Sequence, residues 1–284
     1  MQLNIRDALR LIYQAVESLS PTASLDAQVL LAHILGKTRA WVLAHPDAKL
    51  DEEQVIQFEQ ASARLGTGEP LPYILGSWEF FGLEFTVTPD VLIPRPETEL
   101  LVEHALGWLS ARPGRRRAAD VGTGSGCIAI SMASQIPDLQ VIATDISPAA
   151  LRVAKQNTLH HGLEHRIHLV QANLFTGIRP TFNTQFDLIC ANLPYIPEHT
   201  LETLSVSHWE PRLALCGGDN GLDLILRLLM DVPDKLSPGG ILLLEIESSL
   251  GQAVVSLVRS VLPDTSVSVL PDLAGHDRLV VCQN

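Results

Sequence analysis

The chain has 284 residues, enough for two domains with their own cores, and its apolar content is mostly Leu, Val, Ile and Ala with 5% aromatics. A formal net charge of -12 argues against a protein that grips free nucleic acid through its phosphates, and the short run Arg115-Arg116-Arg117 reads as a solvated edge before a strand. No apolar run approaches the roughly 20 residues of a membrane span, no signal-peptide pattern opens the chain, and Cys127, Cys190, Cys216 and Cys282 lie too far apart for a CxxC pair or a metal cluster, so a cytoplasmic protein with reduced structural cysteines and no metal is expected.

Ile5, Ala8, Leu9, Ile12, Val16 and Leu19 recur at helical spacing until Ser20-Pro21 interrupts them. A second helix runs from about Leu25 to Leu35 and stops at Gly36, and a third, short one carries Trp41 and Val42. A fourth spans Asp51 to Leu65, with acidic residues in its first turn and Gly66 after its end. These helices predict a small helical domain over residues 1–68. Residues 69–99 are dense in proline, glycine and aromatics, and the runs Glu79 to Phe81 and Leu83 to Thr88 predict a hairpin between two domains. Arg95, between Pro94 and Pro96, sits in a stiff extended segment before the helix opened by Glu97-Thr98-Glu99. Spacing alone leaves that segment either a rigid linker or a wall of a site.

Over residues 100–284 strands alternate with helices. Strands fall at Ala118 to Val121, Val141 to Thr144, His168 to Ala172, Phe186 to Cys190, Ile241 to Ile246, Val267 to Leu270 and Leu279 to Cys282. Helices fall at about Ile128 to Ser134, Pro148 to His160, Leu222 to Lys235 and Gln252 to Val261. The pattern predicts an α/β, Rossmann-like domain, with a mostly parallel sheet covered on both faces and ligands at the carboxyl ends of its strands. The last two strands have no helix between them and should pair antiparallel.

Asp120-Val121-Gly122-Thr123-Gly124-Ser125-Gly126 lies between the first of these strands and its helix, where glycines allow a tight turn and close approach of a ligand to backbone N–H groups. Asp145 ends the next strand about 20 residues beyond, the offset of an acid that binds ribose hydroxyls. The glycine spacing is wrong for a dinucleotide, and no Gly-Lys-Ser/Thr follows for a phosphate loop. An adenosine ligand without phosphate fits better, such as S-adenosylmethionine, with Asp120 facing its amino group directly or through water and Asp145 on the ribose. Ile146, Asn173, Leu174 and Asn192 complete the expected cofactor set, Asn173 and Leu174 beside the adenine.

Phe186 to Cys190 is an apolar run that ends in Asn192-Leu193-Pro194-Tyr195. The Asn192 oxygen and a backbone carbonyl beside Pro194 could hold both hydrogens of a planar NH2 group, with Tyr195 as a face for it to lie on. The same string also reads as an ordinary Asn-x-Pro turn.

At these residues the chain resembles the release-factor glutamine methyltransferases of the HemK type. Besides the two strings above, the resemblance rests on Pro72 to Gly76, on Leu92 to Glu99 (LIPRPETE), on Glu210-Pro211-Arg212, on Gly218 to Leu222, and on Asp272 to Gly275 followed by Arg278. It implies a helical substrate-docking domain, a hairpin hinge and a seven-stranded methyltransferase domain. The implied reaction moves a methyl group from S-adenosylmethionine to the glutamine side-chain nitrogen in the Gly-Gly-Gln motif of class 1 release factors. On this resemblance Asn192, the Leu193 carbonyl, Pro194 and Tyr195 form the catalytic set, and Phe81 packs the glutamine. Two positions depart from the family pattern: Leu193 stands where a proline is usual, and Asn173 where an acid is usual. Rival readings are a ribosomal-protein glutamine methyltransferase, a nucleic-acid adenine methyltransferase and a non-catalytic S-adenosylmethionine-binding module. No strong general base is evident beside the motif.

Overall fold

A computed structural model describes residues 3–178 and 185–283. The chain divides into two compact units, Met1–Ser77 and Trp78–Asn284.

In the first unit α1 (Ile5–Val16) buries Ile5, Ala8, Ile12 and Val16, and Asn4 caps it by accepting from the Asp7 amide. It stops before Leu19, which is exposed, because the Leu19 and Ser20 amides fold back onto the Val16 carbonyl. α2 (Ala23–Leu35) ends on Gly36 in the left-handed conformation, φ 58°. α3 (Arg39–Ala44) starts from a Thr38 cap. α4 (Glu52–Gly66) opens with a reciprocal capping box between Asp51 and Gln54. A short α5 (Leu71–Leu75) lies inside the proline-rich stretch and is too brief to announce itself by periodicity. The core gathers Ile12, Leu30, Leu31, Val42 and Phe58.

The second unit begins with the hairpin of β1 (Ser77–Phe80) and β2 (Leu83–Thr86). Its turn residues Phe81 and Gly82 are both left-handed, φ 52° and 70°, as a two-residue hairpin of matching twist demands. The Phe81 amide donates to Glu99 Oε1 at 2.8 Å, which helps to hold this unfavourable conformation. After α6 (Glu99–Ser110) come β3 (Arg117–Val121), α7 (Cys127–Gln135), β4 (Gln140–Asp145), α8 (Pro148–His160), β5 (Ile167–Gln171) and β6 (Phe186–Ala191). Two short helices, α9 (Glu198–Leu201) and α10 (Arg212–Leu215), precede α11 (Asp223–Lys235), β7 (Leu236–Glu245), α12 (Gly251–Val261), β8 (Ser266–Pro271) and β9 (Asp277–Gln283). No helix among the described residues is long and apolar enough to cross a membrane.

Strands β3 to β9 form a seven-stranded sheet in the order β5-β4-β3-β6-β7-β9-β8. It is parallel from β5 to β7, and β9 runs antiparallel between β7 and β8. Successive residues of β6 serve opposite cores: Leu188 and Cys190 join α6 and α7, while Ile189 and Ala191 join α11 and α12. The chain builds outward from β3 through β4 to β5, then returns to β6 on the other side of β3. That reversal opens a crevice at the carboxyl ends of β3 and β6.

The arginine run is less free than the sequence suggests. Asp187, in β6, accepts from Arg115 and Ser237 through Oδ1 at 2.9 and 3.1 Å, and from the backbone amides of Arg116 and Arg117 through Oδ2 at 3.0 and 3.1 Å. Ser237 reaches it from a bulge where the β6–β7 register slips. Arg116 pairs with Asp138. Asp187→Ala should therefore destabilise the second unit by about 3 kcal/mol, since several partners lose their acceptor together; an unchanged midpoint in urea unfolding would exclude this anchoring role.

Candidate active site

A cavity of about 570 Å³ opens where the chain leaves β3 and β6, walled also by the segments after β4 and β5 and by Pro94, Arg95 and Thr98. The glycine loop is pinned to β4, since the amides of Gly122 and Thr123 both donate to the Thr144 carbonyl at 2.8 Å. Gly122, Gly124 and Gly126 all have positive φ. A Cβ on Gly122 would meet Leu193 Cδ2 at 3.1 Å, and one on Gly126 would meet Ile130 Cδ1 at 3.2 Å. At Gly124 it would enter open space, so there the bare backbone faces the cavity. Thr123 and Ser125 line the same wall. Asn157, unanticipated from sequence, is fully buried and donates to both the Ser125 and Thr86 carbonyls, tying the glycine loop to the hairpin.

Asp120 lies behind the loop and is not among the cavity-lining residues. Its Oδ2 accepts from Thr123 Oγ1 at 2.6 Å and from the Ala129 amide at 3.2 Å, while its buried Oδ1 has no hydrogen-bond partner among the described residues. Burial pushes its carboxyl up to about 6, against these hydrogen bonds. Asp145 does line the cavity; Oδ2 accepts from the Gly124 amide and Oδ1 from the Ser147 amide, at 2.9 and 2.8 Å. Each oxygen keeps a lone pair for a ligand hydroxyl, and burial raises its pKa too. Ile146 stands exposed on the rim. Asn173 and Leu174 form the opposite lip, where Asn173 Oδ1 accepts from Arg227 at 3.1 Å and Leu174 adopts φ 55°. Burial pushes the thiol of cavity-lining Cys127 up to about 12, which makes it a poor nucleophile.

Asn192, Leu193 and Pro194 face the glycine loop across the cavity. The Asn192 amide donates through Nδ2 to Thr98 Oγ1 at 3.2 Å, and its Oδ1 accepts no hydrogen bond from the described residues. Thr98 belongs to the LIPRPETE segment, and so does Arg95, which pairs with Glu210; the Ile93 amide donates to that same buried carboxylate at 3.1 Å. The two most distinctive strings of the sequence are thus one hydrogen-bonded wall.

The Pro194–Tyr195 backbone is clamped from behind by two glycines. A Cβ on Gly217 would lie 2.6 Å from the Pro194 carbonyl oxygen, and one on Gly221 2.1 Å from that of Tyr195. Tyr195 itself stands outside the cavity lining, with its phenol pushed up to about 12, first by burial and then by Glu245. Phe81 also stands outside, packed against the core beside Phe80. Glu245, at the end of β7, is a further buried acid that sequence patterning does not single out.

The raised carboxyl of Asp120 has a consequence for the fold. Its stabilising effect is complete below about 3.8 and lost as the pH rises through about 6. Relative to Asp120→Asn, which stays neutral, the wild-type protein should lose roughly 3 kcal/mol between these limits. Unfolding midpoints of both proteins from pH 4 to 7.5 provide the check, and a pH-independent difference between them would refute it.

The family profile described as "PrmC N-terminal domain" matches residues 7–76, and the one described as "Methyltransferase small domain" matches residues 96–208. The chain is 45% identical to the release factor glutamine methyltransferase of Moorella thermoacetica, over 89% of each chain. It is 40% identical to that of Koribacter versatilis, over 92% of this chain and 91% of the relative. Its fold matches the crystal structure of a methyltransferase from Pyrococcus furiosus with a TM-score of 0.52 at 19% identity, over 79% of this chain and 98% of the other.

Proposed function

The chain belongs to the release factor glutamine methyltransferase family, and from that premise we propose that it methylates the side-chain nitrogen of the glutamine in the Gly-Gly-Gln motif of class 1 release factors. The observation that carries the reading is the orientation of Asn192. With its NH2 group donating to Thr98, the amide of this cavity-lining residue keeps its oxygen as an acceptor, and the carbonyl of the adjacent cavity-lining Leu193 would supply a second. Two acceptors side by side suit a primary amide nitrogen, which has two hydrogens and no strong lone pair to offer.

S-adenosylmethionine is the cofactor, and it supplies a methyl group already activated on a sulfonium, whose carbon–sulfur bond electrons stay with sulfur as the nitrogen–carbon bond forms. The residues of the chain fit it. Asp145 would accept from the ribose hydroxyls, and Asp120, set behind the glycine loop, would reach the cationic amino group only through water. Gly124 leaves room for close approach, while Ile146 and Leu174 offer apolar surface to the adenine. Asn192 and Leu193 would hold the glutamine nitrogen in line and favour the positive charge it gains in the transition state. The product nitrogen then releases its proton to water. Tyr195 and Phe81, both outside the cavity lining, would act on the site by supporting its walls.

Selecting one glutamine in a protein needs more surface than an amide supplies, since a standard stable interface buries about 1,600 Å². The helical unit is assigned that recognition, and a cytoplasmic location belongs to the same reading. Deleting residues 1–76 should leave S-adenosylmethionine affinity within several-fold of wild type but greatly raise the release-factor concentration needed for half-maximal methylation. Unchanged methylation at limiting release factor would remove the recognition role, and loss of cofactor binding would mean that these helices only support the catalytic unit.

Two substitutions separate the cofactor half of the site from the acceptor half. Asn192→Ala should lower turnover roughly 100-fold, on the order of 3 kcal/mol, with cofactor affinity unchanged. Asp145→Ala should weaken S-adenosylmethionine binding, with much of the rate restored at saturation. Calorimetry combined with radiolabelled methyl transfer to a release factor, a ribosomal protein and DNA tests both assignments and the substrate class; preferential labelling of either of the latter two would reject the reading.

A further inference from the structure

Glu245 is 3% exposed, and its Oε2 has no hydrogen-bond partner among the described residues. Packing does not account for it, because an apolar residue of similar volume would avoid the desolvation of a carboxylate. Its location is specific. Ala191 of β6 pairs with Leu244 of β7, so Glu245 lies level with Asn192 at the carboxyl edge of the sheet. Thr98, 2% exposed, stands beside both: its hydroxyl oxygen accepts from Asn192 Nδ2, which leaves the hydroxyl hydrogen to be donated elsewhere. Thr98 and Asn192 are also the side chains that act on the Glu245 carboxyl as hydrogen-bonding neighbours.

We propose that Glu245, as a buried carboxylate, is a positioning residue for methyl transfer: through Thr98 it fixes the Asn192 amide and polarises its oxygen toward the substrate nitrogen. The inference rests on the acceptor role given to Asn192 above. A negative charge behind the hydroxyl draws the hydroxyl proton toward itself and makes Thr98 a better acceptor for the amide hydrogens. Electron density then shifts onto Asn192 Oδ1. The substrate nitrogen becomes positive only as the methyl arrives, so this polarisation acts more strongly on the transition state than on the bound amide.

The charges around Glu245 bear on when it is ionised. Burial is the largest influence and pushes its carboxyl up to about 7; Thr98, Arg278 of β9 and Asn192 pull it down, and Glu97 pushes it up. The phenol of Tyr195 and the thiol of Cys127 also feel its charge, and both stay neutral below about 12. The carboxylate is the working form, so turnover should rise as the pH passes through about 7 and level off above it.

The test uses the full chain, saturating S-adenosylmethionine and a purified release factor, with turnover measured from pH 6 to 9. Wild type should show the rise near 7. Glu245→Gln, which keeps the shape and removes the charge, should lose that rise and turn over roughly 10-fold more slowly at pH 8. Its S-adenosylmethionine affinity by calorimetry should stay within about two-fold, because Asp145 and the glycine loop are untouched. In an Asn192→Ala background the same substitution should have almost no further effect, as expected for two residues acting in one chain. Thr98→Val, which removes the hydroxyl and leaves only the direct influence of the carboxylate on Asn192, should also reduce the rise and serves if Glu245→Gln does not fold. A folded Glu245→Gln protein with the wild-type rate and profile would overturn the inference, and so would effects that add fully to those of Asn192→Ala. Failure of the wild-type protein to methylate any release factor would instead overturn the functional reading on which the inference stands.

Discussion

A strand inside a parallel sheet spends its backbone hydrogen bonds on its two neighbours, and its side chains on the two cores, so it can offer polar groups to a ligand only where it stops. β3 and β6 are adjacent, parallel and apolar on both faces, and their connections leave the shared edge in opposite directions. The glycine loop and the Asn192 segment therefore face each other across a gap that neither can close. Everything else in the second unit serves that edge. α6 is preceded by the proline-rich segment whose Thr98 reaches Asn192, and Glu210 fastens that segment through Ile93 and Arg95. Asn157, on α8, joins the glycine loop to the hairpin.

The same edge concentrates acids. Asp145 and Glu245 end two of the parallel strands and Asp120 lies one residue before the end of a third, and burial raises the pKa of each. Such groups oppose folding, and Asp120 and Asp145 repel one another as well. The unit offsets this with two extensive apolar layers on either side of the sheet. Stability thus comes from layers away from the strand tips, while two of the acids at the tips keep an oxygen without a partner among the described residues. Residues that packing alone would disfavour are here the ones with a chemical use.

Much of this was legible in the sequence. The alternation of strand and helix from Arg117 onward reproduces the observed elements with boundary shifts of a few residues, because those runs are long and strongly apolar. Asp145, Gly124, Asn192 and Leu193 could be nominated because each closes a strand or occupies the turn after one. What could not be read were the partnerships. Nothing in the spacing links Thr98 to Asn192, Ile93 to Glu210 or Asp187 to the arginine run, since such pairs are made by the sheet order and not by local periodicity. Glu245 was hidden in an apolar run where a single acid looks like the end of a strand. The helices Leu71–Leu75, Glu198–Leu201 and Arg212–Leu215 are each too short to carry a pattern. Phe81, which the resemblance set against the glutamine, occupies a hairpin turn and packs against the core.

The segment from Leu193 to Tyr195 offers its main chain to the site, and this separates positions where evolution can drift from positions where it cannot. At Leu193, where the resemblance implies a proline, the carbonyl is kept, and the leucine side chain fills the space over Gly122. Such a site can change sequence without changing chemistry, provided that the volume above the glycine loop stays filled. Gly217 and Gly221 have no such latitude, because any side chain there would strike the Pro194 or Tyr195 backbone. The side chain of Leu193, on the strand tip that offers its main chain to the reaction, should therefore tolerate substitution sooner than Gly217 or Gly221, whose only part in the site is to leave room for that main chain.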